Sequence, residues 1–255
     1  MVSHLLLGVG TAAFIYPLIS DHRRLDLKRR WSARLLEILG VHLETSLAEV
    51  PAGSLLVANH ISWLDIYVIN AALPAAFVSK AEVRQWPLIG WLAARTDTIF
   101  LRRGSRGHAR VINAEIAAVL LAGKHVALFP EGTTTDGGSL LHFHGALLQP
   151  AIEIGHPIVP LALSYHDGTG QRSIAPAYVG DTSLWQSLRS ILAARGLKAR
   201  IEAGSPLNTE GSIDRKGLAA AARWQIASRI TCAPDTCLTA GADILERSAA
   251  GPVSP

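Results

Sequence analysis

The sequence predicts an α/β domain: one largely parallel sheet flanked by helices, preceded by an apolar helical segment. Three observations carry this expectation. Residues 54–58, 125–129 and 158–164 are short, nearly continuous apolar runs, as strands buried on both faces should be. Runs with helical spacing alternate with them, the pattern of βαβ units. The length, 255 residues, suits one such domain with a small addition.

The elements follow in order. After Gly40 the chain reads as strand 54–58, helix 66–72, strand 76–79, and a helical stretch 82–95 interrupted at Pro87. Strand 98–101, helix 109–122, strand 125–129, helix 146–154 and strand 158–164 come next. Helix 182–194, strand 199–203 and helix 218–230 close the pattern. The last residues are small and polar with two prolines, and residues 236–255 read as a disordered tail. The expected division is a helical segment over 1–40, a domain over 41–235, and that tail. No internal repeat is visible.

Composition narrows the class. The chain is 49% hydrophobic and 17% charged, with a mean hydropathy of +0.27. A soluble domain is nearer a quarter charged, so more apolar surface is present than one core requires. A membrane face or a large oligomer interface would take it up. Lys and Arg total 24 against 20 Asp and Glu, which suits an anionic lipid surface and is too slight an excess for nucleic acid. Cys232 and Cys237 match neither a zinc nor a redox spacing, and a disulfide scaffold is excluded.

The N-terminal apolar run, residues 5–19, is shorter than the about 20 residues that span a bilayer, and Pro17 interrupts it. Its basic residues, Arg23 and Arg24, follow the run, the reverse of a signal peptide. The run reads as a short or half-embedded membrane helix, or as a core helix. Basic residues after it would keep that end cytoplasmic. From residue 26 to 39, Leu27, Trp31, Leu35, Ile38 and Leu39 recur at helical spacing, with Lys28, Arg29, Arg30 and Arg34 largely off that stripe. A basic amphipathic helix with a tryptophan suits a membrane interface. The alternative is a helix packed on the core with a solvated basic face.

Four segments can carry chemistry. Asn59-His60-Ile61-Ser62-Trp63-Leu64-Asp65 lies between a strand and a helix, where open α/β sheets bind ligands. Ser62 and Asp65 have capping-box spacing, which would place Asp65 in the first helical turn. A carboxylate beside His60 would fix its tautomer and stabilise an imidazolium. By itself this pattern is equally a helix cap beside a loop histidine. Phe129-Pro130-Glu131-Gly132-Thr133-Thr134-Thr135 follows another strand and offers N–H groups and hydroxyls to an anion or polyol, or is an ordinary turn. Arg102 and Arg103 end a third apolar strand, placed for a phosphate or simply solvated. Ile158-Val159-Pro160 alone indicates only a buried strand.

In this order and spacing the four segments resemble the glycerolipid acyltransferase family of the 1-acylglycerol-3-phosphate acyltransferase type. The matching residues are Asn59, His60 and Asp65; Phe100 and Arg103; Phe129, Pro130, Glu131, Gly132 and Thr133; Val159 and Pro160. The resemblance covers roughly residues 54 to 165. It implies direct acyl transfer from acyl-CoA or acyl-carrier protein to the sn-2 hydroxyl of a lysophospholipid, lysophosphatidate giving phosphatidate. His60 is then the general base and Asp65 its orienting partner. Arg103 grips the phosphate, Glu131, Gly132 and Thr133 position the glycerol, and Lys80 assists with charge. No metal or other cofactor is implied, because the thioester is already activated. The cytoplasmic face of the inner membrane is the expected location.

Three departures bear on the acceptor. Thr134 and Thr135 stand where the family often has Arg-Ser, Phe143-His144-Gly145 replaces Phe-Lys-x-Gly, and Asp97 replaces a glycine before the second segment. Such variants also resemble enzymes acylating lyso-ornithine lipid. Other classes fit less well. There is no Gly-x-Ser-x-Gly for a serine hydrolase, and no P-loop. Gly8-Val9-Gly10 lies inside the apolar run rather than after a strand, and His142 with His144 lacks an evident third metal ligand. A non-catalytic lipid-binding protein is the remaining alternative from a different class.

Overall fold

A computed structural model describes residues 1–47, 50–86, 89–101, 106–210 and 214–231. Pro87, Arg102, Arg103, the two cysteines and the expected tail over 236–255 lie outside the described residues.

Seven strands form one sheet: β1 His42–Ser46, β2 Leu55–Ala58, β3 Ala75–Lys80, β4 Ile99–Leu101, β5 His125–Leu128, β6 Ile158–His166 and β7 Lys198–Ala203. Their spatial order is β1-β7-β6-β2-β5-β3-β4. All neighbours pair in parallel except β6 with β7. The expected α/β class is therefore present, with its mostly parallel sheet. β2 occupies the centre, and every one of its side chains is fully buried. Leu56 and Ala58 point into one core layer with α2 Asp21–Ile38, α3 Asp65–Ala72 and α7 Leu184–Ala193. Leu55 and Val57 point into the other, with α5 Arg106–Leu121, α6 Gln149–Glu153 and α8 Arg215–Thr231. Two-sided burial explains why β2 reads as a continuous apolar run rather than an alternating one.

Some local expectations shift. Strand β1 has no counterpart in the sequence reading, because His-Leu-Glu-Thr-Ser carries one large apolar residue. It is held at the sheet edge by Glu44, which bridges Lys198 at 2.9 Å and Arg200 at 3.0 Å on β7. The helix expected over 146–154 divides into a 3₁₀ turn, Gly145–Leu148, and α6. Pro150 sits in the first turn of α6, where its missing N–H costs nothing. The stretch expected as helix 82–95 is a 3₁₀ turn, Ala81–Gln85, then α4 Ile89–Arg95.

The N-terminus forms α1 Val2–Gly10, a π-turn Thr11–Ile15 and a 3₁₀ turn Tyr16–Leu18. Among the described residues no helix is long and apolar enough to cross a membrane. α1 docks on α2 through His4, whose ring stacks on Trp31 at 4.6 Å, while Trp31 Nε1 donates to the His4 carbonyl at 3.1 Å. Gly8 allows this approach, since a Cβ there would lie 2.6 Å from Trp31 Nε1. Val2, Leu6, Leu7, Phe14 and Leu18 remain exposed. α4, with its exposed Trp91, packs against the π-turn.

α2 packs on α3 and buries Leu35 and Leu36, and Leu39, its C-cap, is buried with them. The helix also buries Lys28, which the sequence reading grouped with Arg29, Arg30 and Arg34 off the apolar stripe. The ammonium group donates to the carbonyls of Ala75 at 3.3 Å and Thr96 at 2.9 Å, and lies 3.8 Å from Asp97. Asp97 has φ of 62°, the left-handed region that the family's usual glycine at this position would enter freely.

Candidate active site

β2 and β5 are parallel neighbours, so the loops leaving their carboxyl ends lie side by side. The first loop begins with Asn59, buried to 1%. Its side-chain amide accepts from Leu163 N–H at 2.8 Å and donates to Leu163 carbonyl at 3.0 Å. This pair extends the β2–β6 ladder by one rung after the backbone of β2 has turned away, which fixes where His60 emerges.

Asp65 is fully buried and forms the centre of the site. Its Oδ2 lies 2.8 Å from His60 Nδ1 and accepts the N–H groups of Ile61 at 2.7 Å and Ser62 at 2.9 Å. Its Oδ1 accepts the hydroxyl of Tyr165 at 2.7 Å. Only half of the expected capping box forms: Ser62 N–H reaches Asp65, but Ser62 Oγ accepts from Leu64 N–H at 3.2 Å, and the regular helix starts at Asp65 with Leu64, not Ser62, as its N-cap. A charge buried this completely demands partners, and four donors supply them.

The His60 side chain is 19% exposed and stacks on Phe129, ring to ring, at 3.9 Å and 9°. With Nδ1–H donated to Asp65, Nε2 presents its lone pair away from the carboxylate. The second loop locks to the first through Glu131. Its Oε1 accepts the backbone N–H of His60 at 2.9 Å and its Oε2 that of Leu141 at 2.8 Å. Burial pushes the Glu131 carboxyl above its usual range, partly offset by these two bonds. Thr135 N–H donates to the His60 carbonyl at 2.9 Å. Thr134 Oγ1 donates to the Tyr178 carbonyl, and Tyr178 N–H to the Ile61 carbonyl at 2.9 Å. Gly132 adopts φ of 70°, a conformation that suits glycine.

The structure thus brings together His60, Asp65 and Glu131, with Gly132 and Thr133 exposed beside them. Glu131 engages both oxygens with backbone donors rather than presenting them freely. Lys80 is exposed at the carboxyl end of β3, which neighbours β5. It pairs in register with Leu101, the last residue of β4. Arg103, two positions further on, lies outside the described residues. His142 and His144 meet edge-on at 5.3 Å, and among the described residues no third His, Cys, Asp or Glu completes a metal-binding group with them. Sequence reasoning missed Tyr165. The available signal was a phenol just beyond the apolar run 158–163, since a buried tyrosine hydroxyl requires a partner.

The acyltransferase family model matches residues 41–164, the span that contains both loops. A lyso-ornithine lipid O-acyltransferase from Pseudomonas aeruginosa is 41% identical over 231 residues, 86% of each chain. The chain belongs to the acyltransferase family. A 1-acyl-sn-glycerol-3-phosphate acyltransferase from Neisseria meningitidis is 36% identical over 180 residues, 71% of this chain and 70% of that one. The fold of this acyltransferase is that of the crystal structure of the 1-acyl-sn-glycerophosphate acyltransferase PlsC from Thermotoga maritima. The TM-score is 0.67 at 20% identity, covering 90% of this chain and 89% of that one. Of the residues in this acyltransferase that match the family pattern, His60 is joined to Asp65 and Glu131 by part-buried hydrogen bonds, and Asn59 is held to Leu163 by buried ones.

Proposed function

We propose that this acyltransferase moves a fatty acyl group from acyl-CoA or acyl-carrier protein to the sn-2 hydroxyl of 1-acylglycerol-3-phosphate. The observation that carries the reading is the His60–Asp65 pair, 2.8 Å apart and fixed at the carboxyl ends of a parallel sheet. His60 Nε2 takes the proton of the acceptor hydroxyl as its oxygen attacks the thioester carbonyl. The tetrahedral intermediate collapses, the C–S bond breaks, and the departing sulfur receives the proton from His60. An ester and a free thiol result. Asp65 offsets the transient imidazolium charge. General base catalysis of this kind contributes about 10²–10⁴-fold. Glu131 holds the two loops in register, Gly132 and Thr133 meet the glycerol, and Lys80 and Arg103 supply positive charge toward the headgroup.

The N-terminal elements embed in one leaflet on the cytoplasmic face of the inner membrane. The exposed side chains of Val2, Leu6, Leu7, Phe14 and Leu18 support this, with Arg29, Arg30 and Arg34 on the adjoining helix. Both lipid substrates have long chains, so a site held at the bilayer surface meets them without extracting them.

A second acceptor, lyso-ornithine lipid, is favoured by a specific observation. The 41% identical relative carries that name, and Thr134, Thr135 and His144 replace residues that are often basic or polar in phosphate-recognising members. The deciding test is the purified full-length protein with a labelled thioester and a panel of lysolipids. Preferred turnover of lysophosphatidate supports the first reading, and preferred turnover of lyso-ornithine lipid replaces it. Failure on every lysolipid with both acyl-CoA and acyl-carrier protein overturns acyl transfer as the activity.

A further inference from the structure

Asp65 is surrounded asymmetrically. Three donors converge on Oδ2: the His60 ring and the N–H groups of Ile61 and Ser62. Among the described residues, Tyr165 alone donates to Oδ1, at 2.7 Å. Tyr165 lies on β6, 2% exposed, a hundred residues along the chain from Asp65. The two backbone donors belong to the loop that carries His60, so they move with it. Tyr165 belongs to the sheet, on the stretch of β6 beyond its pairing with β2, where it is in register with Ala199 of β7. It is therefore the anchor that ties the carboxylate to the scaffold rather than to its own loop.

We propose that Tyr165 is a positioning residue for the acyl-transfer step, its hydroxyl fixing the plane of the Asp65 carboxylate and moderating the negative charge that Asp65 presents to His60. This rests on the general-base reading of His60. Tyr165 touches no reacting atom. A carboxylate turns about its Cβ–Cγ bond unless both oxygens are held, and a rotation there swings Oδ2 off the His60 N–H vector. The hydroxyl supplies the second hold. It also draws electron density toward Oδ1, so less charge remains on the oxygen facing the imidazole. Burial and the adjoining Asp65 charge push the phenol well above its usual range, which keeps it a donor at every pH the enzyme meets. Among the described residues, Glu131 also bonds to this loop, and it reaches His60 through the backbone N–H and not the ring.

The test uses the full-length protein in detergent micelles. Tyr165→Phe removes one oxygen and keeps the ring packing. The expected result is a kcat lower by roughly 10-fold, the scale of a lost hydrogen bond to a charged group, with KM for both substrates unchanged within about twofold. The acid limb of the kcat/KM profile moves to higher pH, because Asp65 then presents more charge to the imidazole. An activity-independent arm follows the His60 ring by nitrogen NMR of labelled histidine, assigned with His60→Ala. Its titration midpoint moves up in Tyr165→Phe and down when 3-fluorotyrosine, a stronger donor, is placed at 165. The fluorinated variant preserves the fold if the phenylalanine variant does not. An unmoved His60 midpoint, or a kcat loss that follows only a fall in melting temperature, overturns the proposal. If the wild type transfers no acyl group the general-base reading fails, and the NMR arm still decides the link between Tyr165 and His60.

Discussion

Glu131 accepts the backbone N–H of His60 at 2.9 Å, binding two loops that are 71 residues apart in the chain. Its other oxygen accepts Leu141 N–H, so the side chain works as a clamp with both ends filled. Glu131→Gln turns one acceptor into a donor facing an N–H group. The expected cost is about 1–3 kcal/mol of stability, the penalty of a buried group left unsatisfied. Because burial raises the folded-state pKa of Glu131, the native protein binds its proton more readily than the unfolded chain. Wild-type stability therefore gains from this group as pH falls through the raised value toward the ordinary one. Denaturant titrations should show the gap between wild type and Glu131→Gln widening over that interval. A gap that closes would show that the two N–H bonds, which favour the ionised carboxylate, outweigh its burial.

His60→Ala should remove about 10²–10⁴-fold of turnover while the protein still folds, at a stability cost of about 1–3 kcal/mol because the buried Asp65 carboxylate loses one of its four donors. Asp65→Asn separates orientation from charge. The amide oxygen can replace Oδ2, and the amide N–H₂ can donate to Tyr165, whose hydroxyl turns to accept. Stability should fall by no more than about 0.5–2 kcal/mol, as for a lost cap, while turnover falls as far as in His60→Ala. Equal activity of Asp65→Asn and wild type would make the carboxylate structural only.

Deleting residues 1–40 would strip Leu35, Leu36 and Leu39 from the core, so membrane release by that truncation would be uninformative. A surface change is cleaner. Leu6, Phe14 and Leu18, exposed by 64%, 76% and 84%, can be replaced together by serine without touching the His4–Trp31 contact. Each large apolar side chain fully buried in lipid contributes about 1.5–3 kcal/mol, so partition onto vesicles should weaken by roughly a thousandfold or more. Flotation with anionic vesicles measures it. Undiminished flotation of the triple variant moves the membrane-binding surface elsewhere.

Lys28 supplies a pH dependence of its own. Burial lowers the pKa of its ammonium group, with Asp97 opposing, so the unfolded chain binds this proton more tightly than the folded one. The cost of the buried charge is fully present below the lowered folded-state pKa. It is relieved as pH rises through that value toward the unfolded 10.5. Stability attributable to Lys28 should therefore rise with alkalinity in this window. Lys28→Met should flatten the rise, and thermal melts from neutral to alkaline pH would show it. Identical slopes in the two proteins would mean that water reaches the ammonium group.

Arg103→Ala distinguishes the two acceptors. With lysophosphatidate, loss of a charged hydrogen bond of about 1.5–3 kcal/mol should raise KM roughly 10- to 100-fold. The thioester KM should move far less, and Arg103→Lys should rescue only in part, lacking the guanidinium fork. With lyso-ornithine lipid, which has no phosphate, the variant should behave as wild type. Steady-state kinetics on both acceptors decides between them.

What the sequence makes legible here is set by how locally each feature is determined. β2 and β5 are recognisable because two-sided burial writes itself as apolar runs, and His60 with Asp65 because one short turn carries both. β1 is invisible for the opposite reason: its strand character comes from Lys198 and Arg200 on a neighbour far along the chain. The burial of Lys28 depends on the carbonyls of Ala75 and Thr96, which only the folded arrangement brings near. Tyr165 and the double engagement of Glu131 likewise depend on β6 and β5 flanking β2. That order does not follow the order of the strands in sequence.

The same interleaving has a consequence in time. At a synthesis rate of about 5–20 residues per second, roughly 5–20 seconds separate the making of His60 from that of Tyr165. Through that interval the β2 loop has neither the Leu163 rung nor the phenol on Asp65, and the central strand lacks one neighbour. α1, with its apolar edge, is by then long since made. On a growing chain, the exposed apolar end is available well before Asp65 receives its last partner.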